Sequence, residues 1–181
     1  QSMTRLSRRY RKRWPTLSDA PFFLAIGDGA SANIGSGCGV PGTVALTMGT
    51  TGAMRAILDK PVTPMPKGLW CYRIDKQLSL LGGSLTDTGS LLDWLHRALR
   101  MRGSRVEDRE IASVEPNSHG LTVLPFIRGE RSPGWASDAT ATWHGVTAST
   151  TAAHMARAAL EAVTYRFVLI SRLLDQTAPD L

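Results

Sequence analysis

The chain has 181 residues, 43% of them hydrophobic and 20% charged, with a formal net charge of +6, two cysteines and four histidines. Such a chain can bury one sizeable core, and its composition excludes disordered, collagen-like and fibrous classes. No stretch reaches the roughly 18–20 apolar residues of a membrane span, and the basic N-terminus lacks the apolar segment of a signal peptide, so a cytoplasmic protein without a membrane partner is expected.

Gln1-Ser2-Met3 reads as a cloning remnant and is set apart from the fold; residues 1–16 together read as that remnant plus a basic helical segment. Arg5, Arg8, Arg9, Arg11, Lys12 and Arg13 carry the positive excess, and the remainder is close to neutral. A run of this kind is ordinarily a solvated helix face. With no aromatic platform interleaved through the body, no nucleic-acid partner is expected. Pro15 and Pro21 mark the turn out of it.

The apolar run 22–26 reads as a buried strand entering the tight loop Gly27-Asp28-Gly29. Ala30, Ser31, Ala32 and Asn33 follow, small enough for a helix packed close to a sheet. A second strand at 44–48 breaks at Gly49-Thr50-Thr51-Gly52 and continues over 53–58. Beyond Pro61, Pro64 and Pro66, strands are predicted at 69–74 and 78–81, with Asp75-Lys76-Gln77 as the hairpin turn. From Thr88 the period changes: Leu91, Leu92, Leu95, Ala98 and Leu99 recur at three and four, the mark of an amphipathic helix. A more polar helix over 105–114 and a strand over 121–126 come next. The long helix predicted at 150–174 carries Met155, Ala159, Ala162, Val163, Phe167, Ile170 and Leu174 on one stripe. This order of elements predicts an α/β domain over 17–181, a mixed sheet with helices packed on it.

Three glycine-rich turns are expected to end apolar runs: 27–29, 49–52 and Gly82-Gly83. Glycine permits the close backbone approach that a phosphate-cradling loop needs, and threonine hydroxyls add donors. No turn matches the P-loop or dinucleotide fingerprints. Asp28, framed by glycines, is open to a ligand and can accept the proton of an attacking hydroxyl; it can equally cap the helix that follows. His96, His119, His144 and His154 form no H-E-x-x-H pattern, and no Cys/His cluster offers a metal site. No G-x-S-x-G elbow occurs, and Cys38 and Cys71 fit no disulfide framework. Trp70, Trp94, Trp135 and Trp143 read as packing anchors, with Trp70 and Trp135 near enough to loops to line a sugar site.

The segment Trp143-His144-Gly145-Val146, seven residues, then His154-Met155-Ala156-Arg157-Ala158-Ala159-Leu160-Glu161 resembles the second signature of the FGGY carbohydrate kinases. The stretch from Leu124 through Gly129-Glu130-Arg131-Ser132-Pro133 is similar to a loop of that family. The segments beginning at Ala25 and Ala45 resemble the entry into its second domain, and the phrase from Ala45 to Arg55 is nearest to gluconate-kinase-like members. The resemblance implies a two-domain enzyme of actin-like, ribonuclease-H-like ATPase fold that binds a sugar, sugar acid or polyol with ATP and Mg²⁺. It implies Asp28 as general base, with Gly29 in the same sugar-contacting loop, and Thr50, in Gly49-Thr50-Thr51, facing the γ-phosphate. Gly89 and Asp93 resemble the ATP-contacting pair at a helix start, where exposed N–H groups favour phosphate. The sequence departs from the family at Thr86-Asp87-Thr88-Gly89, where Asn-Asn-Gly-Gly is frequent; Asp87 would repel phosphate unless Mg²⁺ or a base is close by. The family's N-terminal domain is absent, and the chain ends at Leu181 before the adenosine-binding segment, so the fragment alone is expected to be inactive. The other readings are a non-catalytic actin-like module that binds a partner or nucleic acid through the basic arm, and an actin-like ATPase without a sugar substrate. Asp28 in its glycine frame together with Thr50 separates a kinase from the binding module, which would need neither, and ATP hydrolysis measured without acceptor separates it from the ATPase. A homo-oligomer stays open, as no segment advertises an interface.

Overall fold

A computed structural model describes residues 2–3, 6–23, 25–60 and 62–179, apart from the side chains of Ser2, Met3 and Val106. Arg5 of the basic run, Leu24 of the first apolar run and the chain end at Leu181 lie outside the described residues. Strand β1 (Ser2–Met3) pairs antiparallel with β2 (Phe22–Phe23). Helix α1 (Arg8–Arg13) and a 3-10 turn at Pro15–Leu17 run between them. As its charged sequence dictates, α1 buries no residue. The run 22–26 does not form the expected buried strand: only Phe22 and Phe23 pair, and Phe23 is 74% and Ile26 46% exposed. A strand is buried only where a second layer covers it. Here Phe23 and Ile26 face an open cleft beside the turn at 73–77.

Helix α2 (Asp28–Gly35) leads into a four-stranded sheet of β3 (Val44–Met48), β4 (Gly52–Leu58), β5 (Trp70–Arg73) and β6 (Ser79–Leu85). The strand order is β3-β4-β6-β5, and every neighbouring pair is antiparallel. The two-residue period of a strand sorts its side chains. Ile57 and Leu80 pack with Ala30 of α2 on one face, while Leu58, Leu81 and Leu85 join the larger cluster on the other.

Gly82 and Gly83, expected to end a short strand, lie in the middle of β6, and both are buried. The reason is tertiary. A Cβ on Gly83 would stand 2.8 Å from Ile170, and one on Gly82 would stand 2.8 Å from Arg55 Cγ and 3.0 Å from Trp70. The missing side chains let partners approach from both faces and make no turn.

Helices α3 (Gly89–Ala98) and α4 (Arg105–Ser113), a short hairpin of β7 (Thr122–Leu124) and β8 (Thr142–His144), and the 26-residue α5 (Ala152–Thr177) complete the chain. The sequence carried no sign of β8, which is too short for alternation to register. The apolar stripe of α5 does what its period requires: Val163, Phe167, Ile170 and Leu174 are at most 5% exposed and pack against β6 and α3. Each such burial is worth about 1.5–3 kcal/mol. No helix among the described residues is long and apolar enough to cross a membrane.

The segment 143–161 that carries the family resemblance anchors this helix. Trp143 stacks on Trp94 at 5.7 Å between ring centroids, and Thr151 with His154 forms a capping box at the start of α5. Glu161 accepts from Arg157 Nε at 2.8 Å, from the Asn117 N–H at 3.1 Å, and pairs with His119 Nε2 at 3.2 Å. His119 Nδ1 accepts the Leu121 N–H at 3.0 Å, which leaves the ring proton on Nε2, facing the carboxylate. Burial pushes the Glu161 carboxyl up, but the hydrogen bonds from His119, Arg157 and Asn117 outweigh it and hold the group below the usual glutamate range.

Candidate active site

α2 covers only part of its face of the sheet, and an open cleft of about 510 Å³ occupies the rest. That volume lies in the range of small-molecule sites. The strands supply Arg55, Trp70, Tyr72 and Ser84; Asp28 and Gly29 contribute from the start of α2, Arg131 and Trp135 from the loop after β7, and Thr51 from the β3–β4 turn. Trp70 and Tyr72 stack at 5.4 Å, and Trp70 Nε1 donates to Ser84 Oγ at 3.0 Å. The loop is tied to β6 by paired bonds: the Ser84 N–H donates to Ser132 Oγ at 3.0 Å, and the Ser132 N–H to the Ser84 carbonyl at 2.9 Å. Behind it Glu130 ion-pairs with Arg166, whose guanidinium lies 5.1 Å from the Phe126 ring centre.

Asp28 is not the helix cap that its residue type also allows. Gly27 occupies the N-cap position without a side-chain bond, and Asp28 is the first helical residue. Its Oδ1 accepts the Gly29 N–H at 2.7 Å, and the carboxylate is exposed to the cleft with no ion-pair partner among the described residues. Gly29 is buried so tightly that a Cβ there would stand 2.8 Å from the Tyr72 hydroxyl and 2.9 Å from Arg55 Nη1. Burial pushes the Tyr72 phenol up, and the Asp28 charge adds to this against the opposing pull of Arg55.

The β3–β4 turn and the start of α3 are bound to each other. The N–H groups of Thr88 and Ser90 donate to the Thr50 carbonyl at 3.2 and 3.3 Å, the Gly89 N–H to the Gly49 carbonyl at 2.8 Å, and Thr88 Oγ1 to the same carbonyl at 2.6 Å. The helix start expected to offer exposed N–H groups to phosphate therefore has them occupied. A carbonyl that follows the chain through a tight turn competes directly with any anion for those donors. Gly49 and Gly89 line a second, mostly apolar cavity of about 130 Å³ with Leu91, Leu92 and Val163, smaller than the few hundred Å³ of a typical ligand site. Thr51 belongs to the larger cleft, while Thr50 and Asp93 are exposed and lie outside both cavities.

Asp87 has the base that its position demands. It is 4% exposed and receives Arg128 Nε at 2.8 Å, the Arg128 N–H at 3.0 Å and Ser90 Oγ at 2.7 Å. Its charge is answered from within the chain. The described residues contain no group of three His, Cys, Asp or Glu side chains able to hold a metal ion; Mg²⁺ is commonly held by one or two carboxylates with phosphates and water, without an all-protein cage. No residue of this chain is assigned to it.

Arg55, Tyr72 and Ser84 escaped the sequence reading as site residues, and Arg131 entered it only as part of a loop. Arg55 left one signal, a lone charge in an otherwise apolar strand.

Residues 44–179 match the sequence profile of the C-terminal domain of the FGGY family of carbohydrate kinases. A gluconokinase of Bacillus subtilis is 32% identical over 169 residues, which are 87% of this chain and 33% of that protein. A glycerol kinase of Rhodospirillum centenum is 32% identical over 152 residues, 81% of this chain and 30% of that protein. The crystal structure of a ligand-bound xylulose kinase from Lactobacillus acidophilus superposes with a TM-score of 0.82 at 27% identity, covering 96% of this chain and 36% of that one. The chain thus spans about a third of the length of the curated relatives it matches.

Proposed function

Because the chain belongs to the FGGY family of carbohydrate kinases, we propose that its residues 17–181 are the front part of the second domain of a cytoplasmic kinase. That enzyme moves the γ-phosphoryl group of ATP onto a hydroxyl of a sugar, sugar acid or polyol. The observation that carries the reading is Asp28: a carboxylate with no ion-pair partner among the described residues, opening into a 510 Å³ cleft that also holds Trp70, Tyr72 and Trp135. Aromatic faces suit the C–H surfaces of a carbohydrate, and Ser84 and Arg131 supply polar contacts beside them.

In the step itself the acceptor oxygen attacks the γ-phosphorus, the bond to the β-phosphate oxygen breaks, ADP leaves, and the hydroxyl proton passes to Asp28. The Gly29 N–H on Oδ1 orients the carboxylate, so that Oδ2 is the oxygen left to take the proton. Thr51, in the β3–β4 turn that resembles the γ-phosphate loop, itself lines this cleft. The smaller cavity at Gly49 and Gly89 does not fit a whole nucleotide, so most of the contacts to ATP would come from parts of the enzyme beyond this chain. Mg²⁺, brought with ATP, would offset phosphate charge.

The test is an ADP-release assay on the parent enzyme over a panel of sugars, sugar acids and polyols, run beside the 181-residue chain. Turnover with one acceptor by the parent, and none by the chain, supports both halves of the reading. Turnover by the isolated chain at a kinase rate of about 1–100 per second would overturn its second half.

A further inference from the structure

Arg55 is a cation for which the described residues provide no counter-ion. It lies on β4 at 9% exposure, and none of the ion pairs among the described residues includes it. Its Nη2 donates to Thr47 Oγ1 at 2.6 Å, a neutral partner. Its Nε is buried with no acceptor among the described residues. Nη1 also finds no acceptor among the described residues, and it lies against Gly29 beside the Tyr72 hydroxyl, where these side chains line the cleft. Its position is held by design of the backbone, since Gly29 and Gly82 both leave the room that a Cβ would take from this side chain.

Burying a charge without a partner costs several kcal/mol, and such groups are ordinarily paired. The cleft holds a second guanidinium, Arg131, against the single carboxylate of Asp28. The missing partner is therefore an anion that arrives with a ligand. Two sources share that chemistry, a carboxylate on the acceptor and a phosphate of the nucleotide. Position favours the acceptor. Arg55 is three residues along β4 from Gly52, about 10 Å from the hairpin turn at 3.3 Å per residue, and it lines the cleft with Trp70, Tyr72 and Gly29.

We propose that Arg55 pairs with a carboxylate of the acceptor, which makes an acidic sugar, and not a neutral polyol, the substrate class of this site. The proposal rests on the kinase reading above, whose relatives include both gluconokinase and glycerol kinase and so leave the acceptor's charge undecided. Guanidinium and carboxylate match as two parallel hydrogen bonds, a geometry that lysine cannot copy.

The experiment compares D-gluconate with D-glucitol, the same carbon skeleton with and without the carboxylate, in the parent enzyme and its Arg55→Met and Arg55→Lys variants. The expected result is that wild type prefers gluconate and that Arg55→Met lowers the gluconate-to-glucitol ratio of kcat/KM by about 10²-fold. The loss falls on the KM for gluconate more than on the KM for ATP, and Arg55→Lys recovers it in part. Equal losses on both acceptors, or a loss confined to the ATP KM, would overturn the proposal while leaving the kinase reading intact. Absence of turnover with any acceptor in the wild type would overturn both. If Arg55→Met does not fold, thermal melting of wild type decides: stabilisation by gluconate and none by glucitol supports the pairing, and equal or reversed stabilisation refutes it.

Discussion

Gly83→Ala probes the contact between β6 and α5. The new methyl would stand 2.8 Å from Ile170 Cγ2, 2.9 Å from Cγ1 and 3.0 Å from Cδ1, inside the van der Waals distance to all three. Ile170 is fully buried, and its backbone belongs to a 26-residue helix, so it has little room to retreat. Overpacking of this kind costs about 1–3 kcal/mol. Replacing a strand glycine returns about 0.5–1 kcal/mol of backbone entropy, which leaves a net loss of roughly 0–2.5 kcal/mol. Ile170→Ala alone should cost about 2–5 kcal/mol through lost burial and the cavity it leaves. In the double variant the clash is gone and the added methyl partly fills that cavity. The pair should then be less damaging than the sum of its members by about 1–3 kcal/mol. Equilibrium urea unfolding of the four proteins, with matched slopes, reads this coupling. Additivity within about 0.5 kcal/mol would refute the packing argument for Gly83.

Gly29→Ala presses instead on the ends of two flexible side chains, Tyr72 and Arg55; stability should fall by less than about 1 kcal/mol, while the acceptor KM of the parent enzyme rises about tenfold or more, because small misplacements at a site are costly. Melting and steady-state kinetics on the same preparation separate the two effects. The Glu161 carboxyl is held below its ordinary value of 4.5 by His119, Arg157 and Asn117, so its contribution is present above that pH and is lost as pH falls through the lowered folded value. The stability gap between wild type and Glu161→Gln, followed by urea unfolding against pH, should therefore be widest near neutrality and close in acid; a gap that widens in acid contradicts the assignment.

How much of this was legible beforehand depends on the range of the forces involved. Helices α3 and α5 could be read from spacing because their burial is a property of their own period. The small-residue start of α2 was legible for the same reason: Ala30 and Asn33 are both fully buried. Gly82 and Gly83 misled, since a glycine pair after apolar residues is normally a turn, and only Ile170, Arg55 and Trp70 arriving from elsewhere make it a strand centre. The start of α3 misled likewise, because the carbonyls that occupy its N–H groups come from Gly49 and Thr50, about forty residues earlier. The openness of Asp28 to the cleft was recognisable from its glycine frame. Arg55 was not, because what distinguishes it is the absence of a partner, which only the assembled sheet reveals.

The central claim, that this cleft is the acceptor end of a kinase with Asp28 as its base, is tested most directly by Asp28→Asn in the parent enzyme. Single-turnover phosphoryl transfer is followed beside equilibrium binding of ATP and acceptor. Binding within a few-fold of wild type with transfer slowed by about 10²–10⁴-fold is the predicted result. An unchanged transfer rate would contradict it and leave Asp28 as an orienting group at most.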